Sequence, residues 1–208
     1  MSSILLASQN RDKRREIIRA LGATPDSLLT PDDVGPDSPD PVEDADNYLD
    51  NAIIKAREFS HWSGLPALAD DSGLECNGLA GAPGVFSARF AGPKATYEDN
   101  CQLLLERLVD VADRSAQFRC VLVCCVGDEV VYHTEGVCTG TICASPRGAE
   151  GFGYDPVFVP TNQTRSFAEM TAAEKDAISH RGRALQQLAA AVTNGDFPIP
   201  MTRDRGAV

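Results

Sequence analysis

Four polar clusters carry the residues of this chain best suited to chemistry on a charged substrate. The first, Ser8-Gln9-Asn10-Arg11-Asp12-Lys13, follows the apolar run Ile4–Ala7 and precedes a helical pattern. Hydroxyl and amide side chains beside the N–H groups of a helix start suit phosphate oxygens, and Lys13 adds a positive charge. The same residues would serve an ordinary N-cap, and no GxxxxGK[ST] loop is present. The second, Asp70-Asp71-Ser72-Gly73, sets two carboxylates side by side, which repel unless a positive charge lies near them. A Mg²⁺ ion held by carboxylate and phosphate oxygens is one solution. An Asp-Ser-Gly turn is the plain alternative. The third, Glu43-Asp44 with Asp46 and Asp50, lies where a helix begins, and there carboxylates are favoured by the helix dipole with no function at all. It gains meaning only if the fold brings Glu43 beside Asp71. The fourth is split between Gly151-Phe152-Gly153-Tyr154-Asp155-Pro156 and Glu174–Arg183. Glycines flanking aromatics let a planar ring approach the backbone, as a nucleobase stack requires. Lys175 can meet phosphate, and His180 and Arg181 can donate to a base carbonyl. Core packing of Phe152 and Tyr154, and a solvated helix face for Lys175, compete with that reading.

These clusters need elements to place them. Ile4–Ala7 reads as a short buried strand, followed by a helix with Ile17, Ile18 and Leu21 on one face and Gly22 as its stop. The stretch from Pro25 to Pro41, rich in Pro and Asp, reads as a surface loop. A second helix is expected over Asp46–Ser63, burying Leu49, Ile53, Ala56 and Phe59 and ending at Gly64; a short strand over Ala67–Ala69 then leads into the paired aspartates. Gly78 to Gly92 reads as loop. Thr96 and Asp99 form a capping pair for a helix with the stripe Cys101, Leu104, Leu105 and Leu108. Phe118–Val126 is the strongest strand, apolar almost throughout and so buried on both faces. Gly127-Asp128 turns it into Glu129–Thr134, Val137–Cys143 is a further strand, and a Thr171/Glu174 capping box opens helical structure towards Val192. Strands and helices interleave with at least one hairpin, which predicts an α/β or α+β fold on a sheet of mixed direction. A single domain over 1–195 is expected, with a frayed tail over 196–208.

Composition prunes the partners. The 208 residues carry 19 basic and 30 acidic side chains, a formal net charge of −11. Such a chain repels nucleic-acid backbones and anionic membranes, so phosphate must be met by local lysines and arginines or through a divalent metal. No apolar run is long enough for a bilayer, and the N-terminal segment lacks the basic region of a signal peptide, which points to a cytoplasmic protein. The seven cysteines form no CxxC pair and sit mostly in apolar stretches, as core thiols do. His61 and His133 have no partner at metal-ligand spacing, and neither GxSxG nor HExxH occurs, leaving acyl chemistry little support.

Six pieces, taken in order, closely resemble the inosine triphosphate pyrophosphatase family over Ile4 to about Leu188. They are S-x-N-x-x-K at Ser8–Lys13, D-N-A-x-x-K-A at Asp50–Ala56, L-P-A-L-A-D-D-S-G-L-E at Leu65–Glu75, G-A-P-G-V-F-S-A-R-F-A-G at Gly81–Gly92, P-R-G-x-x-G-F-G-Y-D-P-V-F at Pro146–Phe158 and E-K-D-A-I-S-H-R-G-R-A-L at Glu174–Leu185. The resemblance implies an elongated mixed sheet flanked by helices, two lobes with a central cleft, and a homodimer. It implies cleavage of ITP, dITP, XTP and similar triphosphates between the α- and β-phosphates. Mg²⁺ would be the cofactor, Asp71 the catalytic carboxylate and metal ligand, and Glu43 a second metal ligand. Triphosphate contacts would fall on Ser8, Gln9, Asn10, Arg11, Asp12, Lys13, Ser72 and Lys175, and base contacts on Phe152, Gly153, Tyr154, Asp155, His180 and Arg181. Two positions depart from the family pattern: Val42 replaces the first of two adjacent glutamates, leaving Glu43 or Asp44 to face the metal, and Gln9 stands where a glycine is common.

That chemistry is coherent. Mg²⁺, Lys13 and Lys175 would offset a triphosphate's charge, and Asp71 would orient or deprotonate the attacking water. Donors from Arg181 or His180 would be satisfied by a 6-keto oxygen but would face another donor in adenine. A pyrophosphatase for pyrimidine or modified nucleotides is the nearest alternative. A nucleotide-binding regulator without turnover is the other, though mere binding does not need an acidic base at the metal.

Overall fold

The structure, a computed structural model, describes residues 3–22 and 28–199. The Pro25 end of the expected loop and the tail beyond 199 lie outside the described residues. The chain runs β1 (Ile4–Leu6), α1 (Arg11–Leu21), β2 (Leu28–Leu29), α2 (Pro31–Val34), α3 (Tyr48–Ser63), β3 (Ala67–Cys76), α4 (Tyr97–Arg107), β4 (Ser115–Val126), β5 (Glu129–Ile142), β6 (Phe158–Pro160), α5 (Ala172–Ile178) and α6 (His180–Asn194), with short 3-10 turns between. The strands form one sheet in the order β2-β1-β3-β4-β5-β6. β1 runs parallel to both β2 and β3, with Leu5 opposite Ala67, while β6 runs antiparallel to β5, with Thr141 opposite Val159. The two-residue link Gly127-Asp128 obliges β4 and β5 to pair antiparallel. The sheet is therefore mixed and open, as the alternation of elements predicts.

The chain divides into two compact units, the first made of residues 1–71, 121–135 and 184–208 and the second of 72–120 and 136–183. Neither is a continuous segment, and the boundaries fall inside β3, β4, β5 and α6. In the first unit Ile4, Leu5, Leu6, Ile17, Phe59 and Leu68 are buried, together with the run Val121–Cys125. The second unit has its own core of Leu74, Leu104, Leu108, Phe118, Phe158 and Phe167. All seven cysteines are free, and all but Cys143 are buried. Burial pushes the thiols of Cys76, Cys101 and Cys124 up to about 12, so they remain protonated.

Several expectations change. In α1 the buried pair is Glu16 and Ile17, while Ile18 is exposed, so the helix turns a mixed face inward. α3 starts at Tyr48, because Asn47 accepts the Asp50 N–H at 2.9 Å and is the cap; its buried residues include Asn51 and Lys55, while Leu49 and Ile53 are only half-buried. β3 continues from Ala67 to Cys76, which puts the paired aspartates inside a strand rather than in a turn after it. Aspartate is depleted in strands, but pairing context overrides that preference. β5 is one strand of 14 residues instead of two. The last helical stretch breaks at Ser179, whose extended backbone ends α5 and whose hydroxyl accepts the Gly182 N–H at 3.1 Å, capping α6. The capping boxes at Thr96/Asp99 and Thr171/Glu174 form as the sequence predicts.

Candidate functional site

In the first unit the chemistry centres on β3. Adjacent strand residues point to opposite faces, so Asp70 and Asp71 separate, and each meets its own lysine. Lys13 Nζ lies 3.2 Å from Asp70 Oδ2, whose side chain is fully buried. Lys55 Nζ lies 3.0 Å from Asp71 Oδ1 and 2.8 Å from Glu43 Oε2, so one ammonium is shared by two carboxylates. Burial alone would lower the Lys55 ammonium, yet Asp71, Glu43 and Asp70 outweigh it and hold it above its ordinary value. Burial likewise carries the Asp71 carboxyl above the usual range, against the pull of Lys55 and Lys13 and with help from Glu43.

α3 supplies the support. Asn51 and Lys55 lie four residues apart, hence on one helix face. The Asn51 amide donates to Asp71 Oδ2 at 3.4 Å and to the Ala45 carbonyl at 3.3 Å, and its oxygen accepts the Ala45 N–H at 3.0 Å. The acidic stretch is thereby fastened next to β3, with Glu43 turned to Lys55 and Asp44 exposed. Asp44 does not serve the start of α3, since that position belongs to Asn47. Lys55 and Asn51 are the residues a reading of polar clusters misses. They are buried polar positions on an otherwise apolar face, and the signal for them was the D-N-A-x-x-K-A piece itself.

Around the start of α1, much of the first cluster is engaged in shaping the turn. Asn10 Oδ1 accepts the N–H groups of Asp12 and Lys13 at 3.0 and 3.1 Å, and Ser8 Oγ accepts the Asn10 N–H at 3.3 Å. Gln9 donates to the Pro39 carbonyl at 2.6 Å, Asp12 pairs with Arg15 at 3.4 Å, and Arg11 is exposed. Lys13 is the member of the cluster that reaches the buried aspartates of β3.

The second unit gathers the other group. Arg181, 2% exposed, donates from Nη2 to Ser72 Oγ at 2.8 Å, and its guanidinium lies 5.8 Å from the centroid of the half-buried Phe152 ring. Lys175 Nζ sits 4.8 Å from the same centroid and pairs with Asp155, which also accepts the Phe152 N–H at 2.8 Å. A side chain on Gly151, at φ +75°, would strike that carboxylate, so only glycine fits there. Gly182 is fixed in the same way against the Asp176 carbonyl. Lys175 is thus a buried partner of the turn at Phe152–Asp155 rather than a solvated helix residue. Tyr154 is a core residue: its ring is buried, its hydroxyl donates to the Ser87 carbonyl at 2.9 Å, and burial pushes its ionisation far up. His180 is buried and stacked on Phe118, with centroids 4.6 Å apart.

Chemically, the first group offers hard oxygen ligands and cations for phosphate, and the second offers a flat ring with fixed donors. Among the described residues no three His, Cys, Asp or Glu side chains form a ready metal cage. Glu43 and Asp71, drawn to one shared cation, suit an ion such as Mg²⁺ that takes one or two carboxylates and completes its shell with phosphates and water. No helix among the described residues is long and apolar enough to cross a membrane.

The dITP/XTP pyrophosphatase of Syntrophobacter fumaroxidans is 46% identical over 89% of this chain and 79% of its own length. That of Shigella flexneri is 43% identical over 94% of this chain and all of its own. Among solved structures, a HAM1 protein from Coxiella burnetii superposes with a TM-score of 0.84 at 43% identity, covering 93% of this chain and 100% of that one. The Ham1 protein of Staphylococcus aureus gives 0.82 at 33% identity, with the same coverage. Residues 4–191 match the family model of the Ham1 family, and the chain belongs to that family.

Proposed function

We propose that this chain is a Mg²⁺-dependent nucleoside-triphosphate pyrophosphatase that hydrolyses non-standard purine nucleotides, such as ITP, dITP and XTP, to the monophosphate and pyrophosphate. The observation that carries the reading is the buried Asp71 carboxylate, sharing Lys55 with Glu43, in a chain 43% identical over 94% of its length to a dITP/XTP pyrophosphatase. Glu43 and Asp71 would hold Mg²⁺, whose charge would offset that of the phosphates and polarise phosphorus. Lys13 and Lys55 would draw the remaining negative charge into a protein whose net charge opposes it. Asp71, with its ionisation raised by burial, would take a proton from the attacking water, which displaces pyrophosphate in line.

Base choice falls to the second group. Phe152 offers the stacking face, and the Arg181 guanidinium, held by Ser72, can only donate. A 6-keto oxygen satisfies it; the 6-amino group of adenine would leave a buried donor unmatched, at about 1–3 kcal/mol. The family resemblance also leads us to expect a homodimer at work in the cytoplasm.

The test is pyrophosphate release from ITP, dITP and XTP beside ATP, GTP and the pyrimidine triphosphates, with Mg²⁺ and with a chelator. Turnover of ITP, dITP and XTP well above that of ATP, GTP and the pyrimidine triphosphates, lost with chelation, is expected. Asp71→Asn, nearly isosteric, should keep the fold and lower turnover by about three orders of magnitude or more. Retention of a tenth of wild-type rate in that variant would remove Asp71 as base, and pyrimidine preference would overturn the substrate assignment.

A further inference from the structure

The Phe152 ring has a neighbour that the polar clusters did not point to. Tyr97 opens α4, with its centroid 5.8 Å from that of Phe152 at an interplanar angle of 48°, and it is 42% exposed. One turn further along the same helix face, Cys101 Sγ lies 3.3 Å from the Gly153 carbonyl and donates to it. Two contacts from one helix face thus grip two successive residues of the turn.

The start of α4 is rigid enough to impose a position. Thr96 and Asp99 exchange hydrogen bonds of 2.8 and 3.1 Å in a capping box, and Leu104 is fully buried. From the α5 and α6 side, Lys175 and Arg181 lie against the same ring. Phe152 is held on one side by buried cations and on the other element by an exposed aromatic. Its backbone is fixed at Asp155, which leaves ring orientation as the remaining freedom.

We propose that Tyr97 is a positioning residue for base selection: its ring sets the plane of Phe152, on which the purine stacks, without touching the reacting phosphates. This rests on the pyrophosphatase reading given above. An aromatic pair in this geometry contributes beyond its buried area, enough for roughly a three- to tenfold change in affinity.

The experiment is a double-mutant cycle of Tyr97→Ala, Phe152→Ala and the pair, with Tyr97→Phe as the conservative control, read as kcat and KM for inosine triphosphate. Tyr97→Ala should raise KM about three- to tenfold, with kcat within about twofold of wild type, and Tyr97→Phe should restore KM. Adding Tyr97→Ala to Phe152→Ala should change KM no further, because the ring it orients is gone. Thermal unfolding of each variant separates these effects from loss of fold. Independent, multiplicative effects in the cycle, or a loss in kcat with unchanged KM, would overturn the inference while leaving the pyrophosphatase reading intact. A wild-type chain that releases no pyrophosphate from any purine triphosphate would remove both.

Discussion

Replacing Lys55 with methionine is the sharpest probe of the β3 site. The side chain is 9% exposed and its ammonium bridges Asp71, at 8% exposure, and Glu43, at 33%. Methionine keeps much of the volume, so packing is nearly conserved and the loss is electrostatic. Removing one partner of a buried pair leaves the other charge uncompensated, at about 3–5 kcal/mol. The Asp71 pair carries most of that, since the half-exposed Glu43 is screened by water. In a chain of this size each kcal/mol moves Tm by about 2–4 °C, so a fall of about 6–20 °C is expected near pH 7. The sign with pH follows from Lys55 being held above its ordinary 10.5. Its stabilisation is fully present below that value and is lost as pH rises through the higher folded value. The deficit of the variant should therefore persist at pH 7–9 and shrink above about 10.5. Asp71→Asn added to Lys55→Met removes the orphaned charge and should recover most of the loss. Thermal and urea unfolding of wild type, both single variants and the double variant complete the cycle. A Lys55→Met protein within about 2 °C of wild type would show that the ammonium is not a buried counter-charge, and the argument would fail.

Glu43→Gln should raise the Mg²⁺ concentration needed for half-maximal turnover more than Asp44→Asn does, because Glu43 shares a cation with Asp71 while Asp44 is exposed. Equal effects in a metal titration would reject that ordering. Arg181→Ala should lower kcat/KM for inosine triphosphate about ten- to a hundredfold with little change for ATP. A uniform loss across nucleotides would place Arg181 away from the base. Lys175→Met strips the buried Asp155 of its ammonium, and Tm should fall by about 6 °C or more. An unchanged Tm would show the pair is not needed for the fold. Glu174, bonded by Arg165 and by the Thr171 backbone and hydroxyl, is pulled from 4.5 down to about 2. Its contribution is present above pH 4.5 and lost as pH falls towards 2, so Glu174→Gln should flatten the acid limb of the Tm-against-pH curve there. An acid limb with the same slope in the variant would contradict it.

Features with a local cause were legible in the residues. β4 declared itself through an apolar run, α4 and α5 through their capping boxes, and the β4–β5 hairpin through Gly127-Asp128. The glycine-flanked turn at Phe152 was visible as well, and the order of the six pieces was enough to indicate the family. Features whose cause lies elsewhere in the chain were not. β3 looked finished at Ala69 because aspartates disfavour strands, yet the strand runs on to Cys76. Ile18 looked like core, yet packing leaves it exposed and buries Glu16 beside Ile17 instead.

The sequence by itself determined most of the elements, the clusters and the family, because capping, turn chemistry and periodicity act over a few residues. Only the tertiary structure decided that Asp70 answers to Lys13 and Asp71 to Lys55, that Glu43 rather than Asp44 joins them, and that Lys175 belongs with Asp155. These are pairings between charges 12 to 57 residues apart in the chain, such as Lys55 with Glu43 and Lys13 with Asp70. Pattern reading expects polar side chains to face water. A buried charge breaks that pattern, and its partner is set by which strands and helices pack together, which local periodicity does not encode.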